Sequence, residues 1–579
     1  MASEDTTNSR RPATTRRFLS DESLANVPAF HTPLTPRQYA EHISSYASRS
    51  STQSLYPGTN FESLASFLLR AYRRHPSETL VSSSKTPVSD DHPFVVHYNL
   101  QHGVPGRKRE FTTTQELIDY ETPPIRESES ANLLFLRGYP SAEWLNVLGS
   151  KFTIDPEFFR RHLDFQKSAA SSPDLSLPAL PSAAPIMTRL RANTVAFRMD
   201  NKPVPARRFQ DDLDNLRNEA KQSFLNYLET LRHGSDIDVR MGESVVREFC
   251  VLNRQYTIIE QDMSIYLEQL ERGFFAVIWL DPSKDLFESA KGPWNSGSLR
   301  SPRWSVEYLP IIQPKPFSAL RHPSLLPNTA SQSEVRIPQS AALLPLEYTR
   351  YLDTALAGSD RFFVLGNIFY FAASSELLAL NIIETSLSQE LEPDAILDQR
   401  RPSISNLLHT KIILDRHISR LRENIAFLRK LQDVAPMHLV PPGRHDKTDR
   451  SALVMSQAFE SLLERAQSLA GKCDRGMDII NTQASIREAS KGIAQAEDMT
   501  RLTKLALPFI PLSLTTSFFG MNFKELGSAS TLSIWVWLVT SAAVLMGTFT
   551  FLLWGQINVK QQLLILRQKY QRKRDKFSV

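Results

Sequence analysis

The chain has 579 residues, 41% of them hydrophobic, and a net charge of +5. That is material for two or three domains with real cores, which excludes a wholly disordered polypeptide. From Lys560 onward seven cations face only Asp575, so the rest of the chain is close to neutral and carries no charge signature of nucleic-acid binding.

In chain order, residues 1–55 are rich in Ser, Thr and Arg and read as a disordered tail. Arg16, Arg17 and Ser20 within it form a common basic-directed phosphorylation pattern. Arg10, Arg11, Arg16 and Arg17 resemble a mitochondrial presequence, but Glu4, Asp5, Asp21 and Glu22 argue against one, and no secretory signal is visible. Residues 56–400 read as a cytosolic α/β domain with Pro/Ser-rich insertions at 168–185 and 281–342. Strand-like runs occur at 94–98, 132–137, 188–191, 194–198 and 274–280. Helices are expected at 144–148, at 155–163 with Asp155 as N-cap and Pro156 in the first position, and at 206–232. The two cysteines, Cys250 and Cys473, offer no disulfide framework and fit a reducing compartment. The histidines are scattered, and His417 beside an apolar seam reads as structural.

Residues 362–383 are apolar enough to be weighed as a membrane span. Asn367, Ser374, Ser375, Glu376 and Asn381 interrupt them, so a pair of core helices is the better reading. Residues 401–501 form a cytosolic helical region and a stalk. Apolar residues recur there at three- and four-residue intervals, from Ile404 to Leu428 and from Met455 to Ala484. A single helix from Asp449 to Phe519 would be ~105 Å long and would link the soluble part mechanically to the membrane.

Two apolar stretches follow, 502–519 and 531–554, of the length that crosses a bilayer, joined by a polar loop at 520–530 and trailed by a basic tail at 555–579. The first contains Thr503, Ser513, Thr515, Thr516 and Ser517; the second is nearly pure hydrocarbon with Trp535, Trp537 and Trp554 near its ends. The first is therefore expected to line a pore and the second to face lipid. One hairpin cannot enclose a channel, so an oligomer is required. Arg501, Lys504 and the basic tail flank the spans, while Lys524 and Glu525 cancel in the loop, which puts both termini in the cytosol. The plasma membrane is the first assignment, with the vacuolar and mitochondrial inner membranes as alternatives.

Leu502-Thr503, Phe509, Pro511-Leu512-Ser513 and Phe519-Gly520-Met521-Asn522, ahead of a second span and a basic tail, resemble the CorA family of magnesium channels. Residues 509–522 are especially similar to its fungal branch, whereas the N-terminal part resembles the family only faintly. The resemblance implies an α+β cytosolic domain, a long stalk helix and a C-terminal two-helix transmembrane hairpin assembled as a funnel-like homopentamer. It implies passive Mg²⁺ influx, with Gly520, Met521 and Asn522 as the selectivity loop and cytosolic divalent cations closing the pore. Met499 and Leu502 would form an apolar constriction, Ile510 a ring above it and Ser513 a hydroxyl ring. These residues also fall near one face of a helix. Asn522 would meet the metal through the water of a hydrated ion, since Mg²⁺ dehydrates reluctantly. The resemblance also implies divalent sensing between subunits by acidic residues, which the sequence does not locate. The sequence departs from many members in placing Lys524, followed by Glu525, where an acidic residue stands two positions after the Asn. No cofactor, no nucleic-acid partner and no enzymatic activity are expected. Two alternatives stay open: a non-conducting, membrane-anchored scaffold, and a Zn²⁺ or Co²⁺ transporter on the same fold.

Overall fold

A computed structural model describes residues 34–52, 54–73, 93–100, 107–121, 131–166, 186–200, 209–233, 239–270, 273–295, 304–313, 341–348, 352, 361–391, 404–433, 445–519, 534–551 and 553–554. The chain divides into two compact units, residues 1–476 and 477–579.

The first unit begins with α1 (Pro36–Ala47) and α2 (Glu62–Leu68). The tail expected to be disordered to residue 55 is thus helical in its last part; residues 1–33 lie outside the described residues. Thr35 and Gln38 form a reciprocal capping box and Pro36 opens the first turn, which supplies the helix start that composition alone hides. Tyr39, Ala40, Ile43 and Ala47 then make one buried stripe.

Strand β1 (Val95–Leu100), β2 (Arg107–Phe111), α3 (Thr114–Asp119), β3 (Ala131–Arg137), α4 (Ala142–Phe152), α5 (Pro156–His162), β4 (Met187–Asp200) and α6 (Phe209–His233) follow. They are succeeded by β5 (Glu248–Val251), β6 (Tyr256–Gln269), β7 (Phe274–Leu280) and β8 (Trp304–Tyr308). The order across the sheet is β2-β1-β3-β7-β6-β4-β8, with β5 also on β6. β3 and β7 pair in parallel, and every other pairing is antiparallel. β6 is long enough to pair with β5 through residues 257–260 and with β7 through residues 263–269, while β4 runs along its other side.

The two short runs at 188–191 and 194–198 are one strand, β4, because Ala192 and Asn193 between them keep extended pairing with Gln261 and Glu260. Asp155 caps α5 through a bond from Glu157 N to its Oδ1 at 2.8 Å, with Pro156 in the first position. The insertion expected to be irregular over 281–342 contains β8, held on β4 through pairs such as Arg198 with Val306. The insertion expected at 168–185 lies outside the described residues.

One sheet face carries a core of Leu134, Leu136, Trp144, Phe159, Val277 and Trp279, shared with α1, α2 and α6. The Tyr39 ring enters it and donates its hydroxyl to Ile154 O at 2.9 Å. Gly149 of α4 gives that ring its room: a Cβ there would stand 2.3 Å from Tyr39 Cε1 and Cζ. Gly149→Ala should therefore destabilise by about 1–3 kcal/mol through overpacking, against a helix-propensity gain of about 1 kcal/mol. Thermal unfolding decides the sign.

On the opposite side α7 (Arg361–Glu390) lies against β4, where Asn193 N donates to Ser375 Oγ at 3.1 Å. The segment weighed as a span is thus a core helix, two-thirds buried over its most apolar window. It is one helix rather than a pair, since neither a proline nor a turn interrupts it. α8 (Ile404–Asp433) and α9 (His445–Ala506) complete the helical layer. Arg465 and Lys472 of α9 both reach Glu384 of α7, at 2.6 and 2.8 Å.

His97 on β1 is buried and bonded through Nε2 to Asn132 Oδ1 at 3.2 Å. Burial, opposed by that bond, lowers its pKa to about 4 from 6.5. The neutral ring belongs to the folded state, so its stabilisation is complete above pH 6.5 and fades as pH falls toward 4. The loss should reach about 3 kcal/mol, and His409, lowered to about 4 chiefly by burial, adds in the same direction. Melting temperatures recorded from pH 7 to pH 4 should fall, and His97→Gln should flatten the slope.

Candidate functional site

In the second unit the sequence dictates a break. Leu507 N still bonds Thr503 O at 3.0 Å, but Pro508 has no N–H to donate and its ring conflicts with the preceding turn. α9 therefore ends at Ala506, and a second helix, α10 (Phe509–Phe519), starts beyond the turn. The continuous helix expected from Asp449 to Phe519 is divided at Leu507 and Pro508. Pro511 is tolerated because it sits in the first turn of α10, where N–H groups lack helical partners.

α11 (Ile534–Phe551) is long and apolar enough to cross a membrane and leaves most of its side chains exposed. It meets α10 on one face, where Pro511, Thr515 and Ser541 are buried. Ser541 Oγ donates to Thr515 Oγ1 at 2.9 Å, the cross-link between the two helices.

The residues expected to line a pore lie away from this contact, on both sides of the break. Met499, Leu502 and Ile510 are 69%, 70% and 66% exposed, and Ser513 is exposed too. At 3.6 residues per turn, Ile510, Ser513 and Ser517 fall on the side of α10 away from Pro511 and Thr515. Met499 and Leu502 belong to α9, on the other side of the break. Gly520, Met521, Asn522, Lys524 and Glu525 lie outside the described residues.

The hydroxyls of this helix are not stranded in hydrocarbon. Ser513 Oγ donates to Ile510 O at 2.9 Å, and Thr516 Oγ1 to Leu512 O at 2.7 Å. Thr503 Oγ1 donates to Met499 O at 2.7 Å. Each proton is spent on the helix's own carbonyls. The polar content that singled out the first span can thus be satisfied internally, and what its hydroxyls offer outward is oxygen lone pairs. Oxygen acceptors suit a hydrated cation, whose waters present hydrogens.

The first unit holds a second polar constellation that residues far apart in sequence concealed. His162 Nδ1 lies 2.8 Å from Ser264 Oγ and its Nε2 3.1 Å from Asp281 Oδ1, with the ring stacked on Trp279 at 3.9 Å between centroids. The order Ser-His-Asp is that of a hydrolase relay, but the three residues are 2%, 1% and 0% exposed. Both Asp281 oxygens are taken: Arg247 Nε and Nη2 donate to them at 2.6 and 2.8 Å, and Asp262 N at 2.6 Å. Arg191 joins Glu260 at 2.7 Å and Asp262 at 3.1 Å. Burial opposes the charge of Asp262, but Arg191, Arg247 and Arg189 outweigh it and hold the carboxyl far below the usual range. His417 continues the network, with Nδ1 2.6 Å from Glu376 Oε1 and Nε2 3.7 Å from Glu260. Burial works against the imidazolium, yet Glu376 and Glu260 raise its pKa. No substrate reaches these groups, and they fasten α5, α7 and α8 to the sheet. Among the described residues no group of three or more His, Cys, Asp or Glu side chains is arranged to hold a metal ion.

Residues 368–555 match the family model described as CorA-like Mg2+ transporter protein. The matched segment begins inside α7 and runs through α8, α9, α10 and α11, so the hairpin and the helices before it constitute a CorA-like domain. No curated protein matches the chain. Among solved structures it is similar to one titled "structure of the full-length CmaX protein", at 13% identity and a TM-score of 0.29, covering 79% of this chain and 98% of that one. That superposition is too weak to define the fold.

Proposed function

We propose that the protein is an integral membrane channel of the CorA type that passes Mg²⁺ passively into the cytosol. The observation that carries this reading is the CorA-like domain spanning both apolar helices. The exposed face of α10 bearing Ile510 and Ser513, turned away from its contact with α11, supports it. In this reading five copies of the chain bring that face to a common axis, with Met499 and Leu502 as an apolar gate that closes by dewetting. Gly520, Met521 and Asn522 form the entrance, and Glu525 neutralises Lys524 there. Both termini are cytosolic, the plasma membrane is the site of action, and the similarity of residues 509–522 to fungal members supports that branch. A divalent cation entering a cell with negative potential gains about 4.6 kcal/mol per 100 mV, twice the single-charge value, so no nucleotide is needed.

The test is Mg²⁺ uptake into liposomes holding the purified full-length chain, read with an internal dye. Uptake is expected, and it should decline as Mg²⁺ is raised on the side of the soluble domain. An assembled oligomer passing none of Mg²⁺, Co²⁺, Ni²⁺ or Zn²⁺ would replace this reading by the membrane-anchored scaffold. Passage of Zn²⁺ or Co²⁺ but not Mg²⁺ would keep the channel and change its cargo.

A further inference from the structure

The break at Pro508 leaves a cleft of about 230 Å³ on the hairpin. Leu507 and Pro508 form one wall, and Leu545, Met546, Thr548 and Phe549 of α11 the other. Thr548 is the one polar residue among them, and its hydroxyl donates to Leu545 O at 2.8 Å and Val544 O at 3.1 Å. The lining therefore presents hydrocarbon. One helical turn before Pro508 stands Lys504, ~6 Å along the axis, and one turn before that Arg501. Both are exposed. Arg501 has Asp498 Oδ1 at 3.7 Å, an exposed and loose pair, and no carboxylate pairs with Lys504 among the described residues. The second wall belongs to the part of α11 near its C-terminal end, so the cleft lies toward the membrane face that bears these two cations.

An apolar slot below two under-compensated cations, at the level where a span leaves the bilayer, is the complement of an anionic amphiphile. Long basic side chains at such a level extend toward the headgroups. We propose that the cleft seats one acyl chain of an anionic phospholipid whose phosphate is held by Arg501 and Lys504. A zwitterionic lipid offers the same phosphate but brings its own cation beside it, so it compensates the two side chains less than a lipid with net negative charge. A helix from a second copy would supply no anion, since neither apolar helix carries an acidic residue. This rests on the membrane-spanning part of the proposed function and is independent of ion conduction. Through the cleft, lipid composition would bear directly on the junction between α9 and α10.

The experiment is native mass spectrometry of the full-length protein, released from mixed micelles containing phosphatidylserine or phosphatidylcholine. Preferential retention of phosphatidylserine is expected. Arg501→Gln with Lys504→Gln should weaken it about 25-fold, fivefold per cation. Thr548→Phe, which fills the slot, should remove retention with either headgroup while helical circular dichroism stays unchanged. Equal retention of the two lipids, or retention indifferent to the two cations, would overturn the proposal. So would disulfide cross-linking between copies carrying Leu507→Cys and Met546→Cys, because a neighbouring chain would then occupy the slot. Release of the full chain from vesicles by alkaline carbonate would instead remove the membrane reading itself.

Discussion

Replacing Asp281 by alanine should destabilise the first unit by about 3–5 kcal/mol, a large share of the ~5–15 kcal/mol that holds a typical domain together. The carboxylate is fully buried and accepts both forks of Arg247 together with the backbone N–H of Asp262. Without it Arg247 keeps Asp164 at 2.8 Å, but loses the partner that meets it in two-pronged geometry. His162 loses its neighbour at 3.1 Å as well. Asp281→Asn keeps the shape and removes the charge, so it should cost nearly as much. Removing both charges tells the pair apart from ordinary packing: Asp281→Leu with Arg247→Met should be far milder than the sum of the single changes. Chemical denaturation of the four proteins checks this, and additive costs would show that the two side chains do not act as a pair.

Asn522→Ala should lower the Mg²⁺ uptake proposed for the hairpin by at least about tenfold without disrupting the proposed oligomer. The reason is chemical. Mg²⁺ holds its waters tightly, so an entrance must recognise the hydrated ion from outside, and neutral amide oxygens accept hydrogen bonds from those waters without stripping them. Alanine offers no acceptor. Asn522→Asp keeps the acceptors and adds charge, so it should bind the ion more tightly and release it more slowly, lowering the maximal rate while shifting half-saturation to lower Mg²⁺. Uptake untouched by Asn522→Ala would place ion selection elsewhere.

What could be read in advance follows from how each element is satisfied. β3 and β7 lie inside the sheet with both faces covered, so they appear as continuous apolar runs, and the start of α5 is written in Asp155 and Pro156. β6 was not legible. Glu260, Gln261, Asp262 and Ser264 give it the look of a surface segment, yet all four are buried, their partners being residues such as Arg191 on β4, Arg416 on α8 and His162 on α5. A charge that is buried because distant residues neutralise it leaves no local mark. α1 escaped for the opposite reason: its stripe is short, and only the box of Thr35 and Gln38 announces it. The hairpin was visible because membrane length and apolarity are local properties. Its subdivision was not read, although Pro508 is the residue that imposes it.

The inward turn of the hydroxyl protons on α9 and α10 has a bearing on anions. A chloride ion needs hydrogen-bond donors to replace its water, and Thr503, Ser513 and Thr516 have already committed theirs. Where these hydroxyls face the proposed passage, they show an anion lone pairs rather than donors. In the proposed channel these hydroxyls would then contribute to charge discrimination through the helix carbonyls that take up their protons, without an acidic side chain in the span.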